Sequence, residues 1–317
     1  MSAIRGALGA MCCLGLSACI LTSGIPDWEV SEEVSATGEA PEKVAIDVAN
    51  DELVDATVNG HAVRLRVEIG HTGLVLNPDT AARLGMLSTV SGKAMVGPVE
   101  VKAYSAVADV TSGPGTSRQR IYWYERSITD GADGIITLAD LPYRNVTLRL
   151  SPPRAGEVET VLQTMVNHDS IVYRLPVAGS TIDVRFYLDR DRTTATSAAA
   201  AILGESHGGK WSGEERQYPI TLGIERAVRP MTLAKPVNIG DAGSLDVSQF
   251  LARMRDWKGK TELPVDPAQE GQPIVVEGNR GSRSEYFLTL GRDVLDRCSS
   301  VTYERETQIL RLRCGGG

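Results

Sequence analysis

A pattern that occurs twice constrains this chain more than any other feature, because internal duplication decides architecture before single elements are assigned. The first copy opens with Thr57-Val58-Asn59-Gly60-His61-Ala62-Val63-Arg64-Leu65-Arg66-Val67-Glu68, a hairpin signature with an Asn-Gly turn. It continues through Gly70 and Leu74-Val75-Leu76 into a helix ending at Leu84-Gly85. In the second copy Thr181 to Leu188 is the strand and Asp189 takes the place of Glu68. Arg192-Thr193-Thr194-Ala195-Thr196 then leads into a helix over Ala198 to Leu203. Each half reads strand, acidic residue, polar loop, short helix, and each closes alike. Asp133-Gly134-Ile135-Ile136-Thr137-Leu138 followed by Val146 to Leu150 is echoed by Phe287 to Leu295, followed by Val301-Thr302-Tyr303 and Ile309 to Leu312. Pro152-Pro153-Arg154-Ala155-Gly156 reads as the joint between halves.

Around these copies, short β-branched or aromatic runs, many alternating and punctuated by Gly, Pro, Asn and Asp, recur from Ala56 to Cys314. Helical pattern is confined to Pro78–Leu84, Val158–Val166 and Ser197–Leu203. The sequence therefore predicts a mainly β chain of closed or packed sheets with few short helices.

The segment Val67-Glu68-Ile69-Gly70-His71-Thr72-Gly73-Leu74-Val75-Leu76, continued by Asn77-Pro78-Asp79-Thr80-Ala81-Ala82-Arg83-Leu84-Gly85, resembles the first-lobe active-site segment of the retropepsin-like and pepsin-like aspartic peptidases. Leu288-Thr289-Leu290-Gly291-Arg292-Asp293-Val294-Leu295 is similar to the element that packs behind the catalytic loop in their second lobe. The resemblance covers most of residues 56 to 314. It implies a two-lobed aspartic-peptidase-like β-barrel fold, with a first lobe over 53–153 and a second over 154–317. It also implies a catalytic pair, Glu68 and Asp189, on loops containing Ile69, Gly70, Arg190 and Asp191, with an extended peptide held between the lobes.

The departures fall on the chemistry. Where the family has Asp-Thr-Gly, this chain has Glu68-Ile69-Gly70 and Asp189-Arg190-Asp191, and the first-lobe backing element reads Ile135-Ile136-Thr137 without its glycine. The family's mechanism needs two neighbouring carboxylates sharing one proton, leaving an acid and a base at a single water. The extra methylene of Glu68 displaces its carboxylate by roughly 1 Å, an error that can cost about a hundredfold in rate. Ile69 and Arg190 stand where threonines cross-brace the loops, and an obligate cation at Arg190 favours ionised carboxylates over a shared proton. The expectation is a peptidase-like fold, weakly active or inactive, acting as a module that binds an extended peptide or envelope protein. The alternative is an aspartic endopeptidase in which Asp189 and Glu68 activate water.

The amino end reads as an export signal over residues 1–18, with Arg5 as its positive region and Ala7 to Leu16 as its short apolar run. Leu16-Ser17-Ala18-Cys19 resembles the lipobox of bacterial lipoproteins, which implies lipid attachment at Cys19 and a membrane anchor in the bacterial cell envelope; an ordinary cleaved signal is the alternative. Residues 19–52 read as a solvated acidic tether, because Ile20 to Glu52 carries nine Asp and Glu against one Lys. Only Cys298 and Cys314 then remain in the folded body. They flank a strand, turn and strand centred on Glu306, so a hairpin would bring them face to face as a disulfide; two free buried thiols are the alternative.

A formal charge of −7 argues against nucleic acid as a partner. His61, His71, His168 and His207 lack paired ligand spacing, so no metal or other cofactor is expected. Gly204-Glu205-Ser206-His207-Gly208 matches the GxSxG pattern of serine hydrolases, but an Ala-rich helix precedes it where that motif needs a strand. A helix C-terminal turn fits better. Asp130-Gly131-Ala132-Asp133-Gly134 reads as a turn rather than a calcium loop, and Tyr122-Trp123-Tyr124 as core and sheet edge.

Overall fold

In the computed structural model, residues 43–47, 53–71, 73–88, 90–96, 99–113, 115–167, 170–240, 245–255 and 286–315 are described. The first half begins with a hairpin of β2 (Leu53–Val58) and β3 (His61–Glu68), preceded in the chain by β1 (Lys43–Asp47). Its two turn residues, Asn59 and Gly60, have φ of 49° and 80°, the left-handed backbone that a two-residue hairpin turn requires. Along β3 the pleat buries Val63, Leu65 and Val67 and turns Arg64 outward. Then follow β4 (Leu74–Leu76), α1 (Pro78–Arg83), β5 (Val90–Val96), β6 (Val99–Ser112), β7 (Gly115–Tyr124) and β8 (Gly134–Thr137). The order β2-β3-β8-β4-β7-β6 closes through β2 on β6 into a six-stranded barrel, and β5 extends it alongside β6. Strands β4 and β8 sit between parallel or oppositely running neighbours and are buried along their whole length, which explains their uninterrupted apolar runs.

Strand β9 (Asn145–Arg149) ends the first half, and the second half comprises β10 (Val158–Asn167), β11 (Ser170–Val177), β12 (Ser180–Phe186), β13 (Thr194–Ala195), α2 (Ser197–His207), β14 (Gly209–Trp211), β15 (Arg216–Thr221), β16 (Ile224–Asn238), β17 (Asp246–Arg253), β18 (Phe287–Leu290), α3 (Arg292–Leu295), β19 (Cys298–Glu304) and β20 (Ile309–Cys314). It repeats the pairing series of the first. The antiparallel pair β2–β3 answers to β11–β12, parallel β3–β8 to β12–β18, and antiparallel β8–β4 to β18–β13. Parallel β4–β7 then answers to β13–β17, and antiparallel β7–β6 to β17–β16. A helix follows β4 and β13 alike. Strand β9 pairs antiparallel with β19, so the two halves share one large sheet, and a single apolar core runs through both.

Three expectations are corrected or extended. Val158–Val166 is not a helix but lies in β10, paired antiparallel with β20. There the burial period is two: Thr160, Leu162 and Thr164 are buried while Glu159, Val161 and Gln163 face out. Within the expected solvated tether, Lys43–Asp47 forms β1 and pairs parallel with β9, because Val44 and Ile46 alternate onto the core. The helix after β13 runs on to His207, where Gly208 adopts the left-handed cap at φ 68°. Ser206 donates to the carbonyl of Ile202 inside that last turn, so the GxSxG pattern is a helix end rather than a nucleophile elbow. Cys298 and Cys314 lie opposite each other in the β19–β20 hairpin and are joined as a disulfide. Cys19 and residues 1–18 lie outside the described residues. Among the described residues no helix is long and apolar enough to cross a membrane.

Candidate functional site

The two duplicated segments meet at their loops. Strand β3 ends at Glu68, opposite Thr137 of β8, and the amide of Leu138 donates to the Glu68 carbonyl at 3.2 Å. The chain then passes through buried Ile69 to Gly70. A β-carbon on Gly70 would fall 2.5 Å from the carbonyl oxygen of Phe186 and against the Tyr187 ring, so only glycine lets the first loop touch the end of β12. The His71 ring meets the edge of Tyr187, with centroids 4.7 Å apart.

Each loop is braced by an aspartate from the element behind it. In the first half Asp140 accepts the Gly73 amide at 2.8 Å and the Thr137 hydroxyl at 2.6 Å. Burial pushes the Asp140 carboxyl above its ordinary range, and these hydrogen bonds work against that rise. In the second half Asp293 accepts both the amide and the hydroxyl of Thr193, at 2.8 and 2.7 Å. Arg292 adds an amide bond to the Arg190 carbonyl at 2.7 Å and a side-chain bond to the Leu188 carbonyl at 3.0 Å. Gly291 packs so closely behind this loop that a β-carbon would sit 2.6 Å from the Arg192 carbonyl carbon.

Between these braced loops stands Glu68, with only 1% of its surface exposed. Its Oε2 accepts the Leu188 amide at 3.2 Å, while Oε1 is buried and has no hydrogen-bond partner among the described residues. Burial first, and the negative charge of Asp189 second, push its pKa up to about 8; the Leu188 amide, Arg66 and Arg190 pull the other way without overcoming them. Burial thus favours the neutral, protonated form of Glu68. Asp189 is the more open of the pair, its side chain 35% exposed, and it is engaged by Arg190 at 3.6 Å. Arg190 is itself buried, its guanidinium 5.0 Å from the centre of the Tyr187 ring. Asp191 accepts the Tyr218 hydroxyl at 2.5 Å, and burial followed by this bond raises the phenol's pKa.

All the expected loop residues therefore gather here: Glu68, Ile69 and Gly70 from the first loop, Asp189, Arg190 and Asp191 from the second. Glu68 and Asp189 are electrostatic neighbours but not register equivalents. Glu68 opposes Thr137 at the end of β3, and the matching place at the end of β12, opposite Leu290, is held by Phe186. Sequence reasoning also missed the bracing pair. Thr137 and Asp140, and likewise Leu290 and Asp293, repeat one spacing past a parallel strand, a signal that only alignment of the two copies exposes. Among the described residues no three His, Cys, Asp or Glu side chains are placed to hold a metal ion. No protein-family model matches the sequence, and no curated protein matches it.

Proposed function

We propose that the chain is a lipid-anchored protein of the bacterial cell envelope, with the two-lobed architecture of aspartic peptidases, that binds an extended polypeptide without cleaving it. The recurrence of one strand-pairing series in both halves, each presenting a loop to the other, supports that architecture. The anchor rests on the sequence around Cys19.

One observation carries the inactive reading: Glu68 is sealed from solvent and its carboxyl is hydrogen-bonded to the Leu188 amide. Asp189, the base in the active reading, is engaged by Arg190. The two carboxylates of a dyad must both reach one water, and Glu68, turned toward a buried amide, does not.

The second reading, an active endopeptidase, draws support from the same pair. A protonated Glu68 beside the charge of Asp189 is the acid and base division that peptide hydrolysis at a dyad requires. Hydrolysis of denatured casein by the full chain in detergent, from pH 3 to 7, with and without pepstatin and beside Asp189→Asn, decides between them. Binding of casein without cleavage is expected. Pepstatin-sensitive cleavage lost in Asp189→Asn would overturn it.

A further inference from the structure

Among the described residues, two charged side chains of the second loop lie side by side and neither makes a hydrogen bond. The Arg190 guanidinium, its side chain only 10% exposed, stands 3.6 Å from Asp189, beyond hydrogen-bond length, and packs over the Tyr187 ring. Asp189, 35% exposed, has only this ion pair. Their neighbours are served otherwise. Asp191 accepts the Tyr218 hydroxyl, Arg292 donates to the Leu188 carbonyl, and Arg66 donates to the Thr129 hydroxyl and the Asp130 carbonyl. Arg192 pairs with Asp293 and is 36% exposed, open to water. A guanidinium has five N–H donors, and burying it with none of them met is costly. Tyr187 lies against Gly70 and His71, so Arg190 stands where the second loop faces the first.

We propose that Arg190 and Asp189 form a site for the last residue of a polypeptide, in which the guanidinium takes the free carboxylate and Asp189 accepts the amide hydrogen. In such a residue a two-oxygen acceptor and an N–H donor flank one Cα. The loop offers the complementary pair, a planar donor and an acceptor 3.6 Å apart. A carboxylate meets a guanidinium through paired hydrogen bonds, which the single long contact with Asp189 does not supply. An aspartate or glutamate side chain carries the same carboxylate, but farther from an N–H. The proposal rests on the binding reading above for the chain that precedes the last residue, but not for the carboxylate site itself.

The test compares acids with amides on the full chain in nonionic detergent at pH 7, so it does not depend on a variant that folds. One set of probes is a fluorescein-labelled nonapeptide of alanine, valine and serine, made as the free acid, as the C-terminal amide, and as the amide with one internal glutamate; fluorescence anisotropy reads its binding. The other is N-acetylalanine beside N-acetylalaninamide, read by the shift each causes in the urea unfolding midpoint. The free acid is expected to bind about tenfold more tightly than either amide, and only N-acetylalanine to raise the midpoint. Arg190→Gln should abolish both preferences, and Arg190→Lys, a point charge without the planar fork, should keep part of them. Peptides that bind equally well as acid and amide overturn the carboxylate site and leave the binding reading standing. A preference that survives in Arg190→Gln overturns it too. A glutamate-bearing amide that binds as tightly as the acid overturns the terminal assignment and moves the carboxylate to a side chain. If N-acetylalanine raises the midpoint and no peptide binds, the carboxylate site stands and the binding reading falls; no response to any probe overturns both.

Discussion

Replacing Glu68 by glutamine should make the protein's stability less dependent on pH, by an amount set by the burial of that one carboxyl. In the folded chain its pKa is pushed from 4.5 to about 8, burial being the larger cause and the Asp189 charge the next. A group with a raised folded pKa holds its proton in the native state after the unfolded state has released it. Between pH 4.5 and about 8 the native state therefore binds more protons, and stability falls as pH rises through that window. Each unit is worth about 1.4 kcal/mol, so the full shift amounts to as much as about 5 kcal/mol above pH 8. Glutamine is neutral throughout, is nearly isosteric with the protonated acid and can still accept the Leu188 amide through its carbonyl. The assay is urea unfolding of both proteins, disulfide intact, at pH 5, 7 and 9; taking the difference between them cancels the titrating groups that do not interact with Glu68. The two should have similar midpoints at pH 5, and at pH 9 the variant should be the more stable by several kcal/mol with the same denaturant slope. A difference that does not change with pH would refute the reasoning, because it would mean that Glu68 is solvated or that Asp189 lies too far away to matter.

Gly70→Ala should destabilise the fold by about 3 kcal/mol, since its β-carbon meets the Phe186 carbonyl, which is backbone and cannot swing aside; urea unfolding at pH 6 reads this directly. Asp293→Ala removes the acceptor of both the Thr193 amide and hydroxyl and should cost about 2–3 kcal/mol, with hydrogen exchange rising first at residues 190–193. Reducing Cys298–Cys314, which closes a loop with a sequence separation of 16, should lower stability by about 3 kcal/mol in the chain-entropy account. Unfolding midpoints with and without reductant measure it, and an unchanged midpoint would mean that the β19–β20 hairpin holds its ends without the bridge.

The strand-rich fold was legible where sequence and backbone demand coincide. Asn59-Gly60 marked its hairpin because those residues accept positive φ, and the Val63, Leu65, Val67 alternation marked the buried face of β3. Val158–Val166 misled for an equally physical reason. Val158, Val161, Leu162, Met165 and Val166 recur at helical spacing, yet Val158, Val161 and Val166 are 43%, 46% and 43% exposed. The residues that face inward include Thr160 and Thr164, and the β-branched content of the segment was the better guide. At the site, the duplication and the resemblance brought Glu68 and Asp189 together, but not the sealing of Glu68. That depends on the Leu188 amide, 120 residues away in sequence, and no local pattern encodes such an approach. Tyr218 was invisible for the same reason.

The register difference between the two copies bears most directly on activity. The amides of Gly73 and Thr193 occupy matching places, each donating to its bracing aspartate. Counting back from them to the ends of β3 and β12 crosses residues 69–72 in one copy and 187–192 in the other, so the second loop is longer by two residues. The longer loop brings the Leu188 amide to Glu68 and leaves Asp189 beside Arg190. The arrangement is an acid facing an amide, not a symmetric pair of carboxylates. Shortening the acid should not restore a dyad, because the register counterpart of Glu68 is Phe186. Glu68→Asp is accordingly expected to leave casein hydrolysis at background from pH 3 to 7. Pepstatin-sensitive cleavage in that variant would show that the second loop can swing Asp189 into place and would overturn this reasoning.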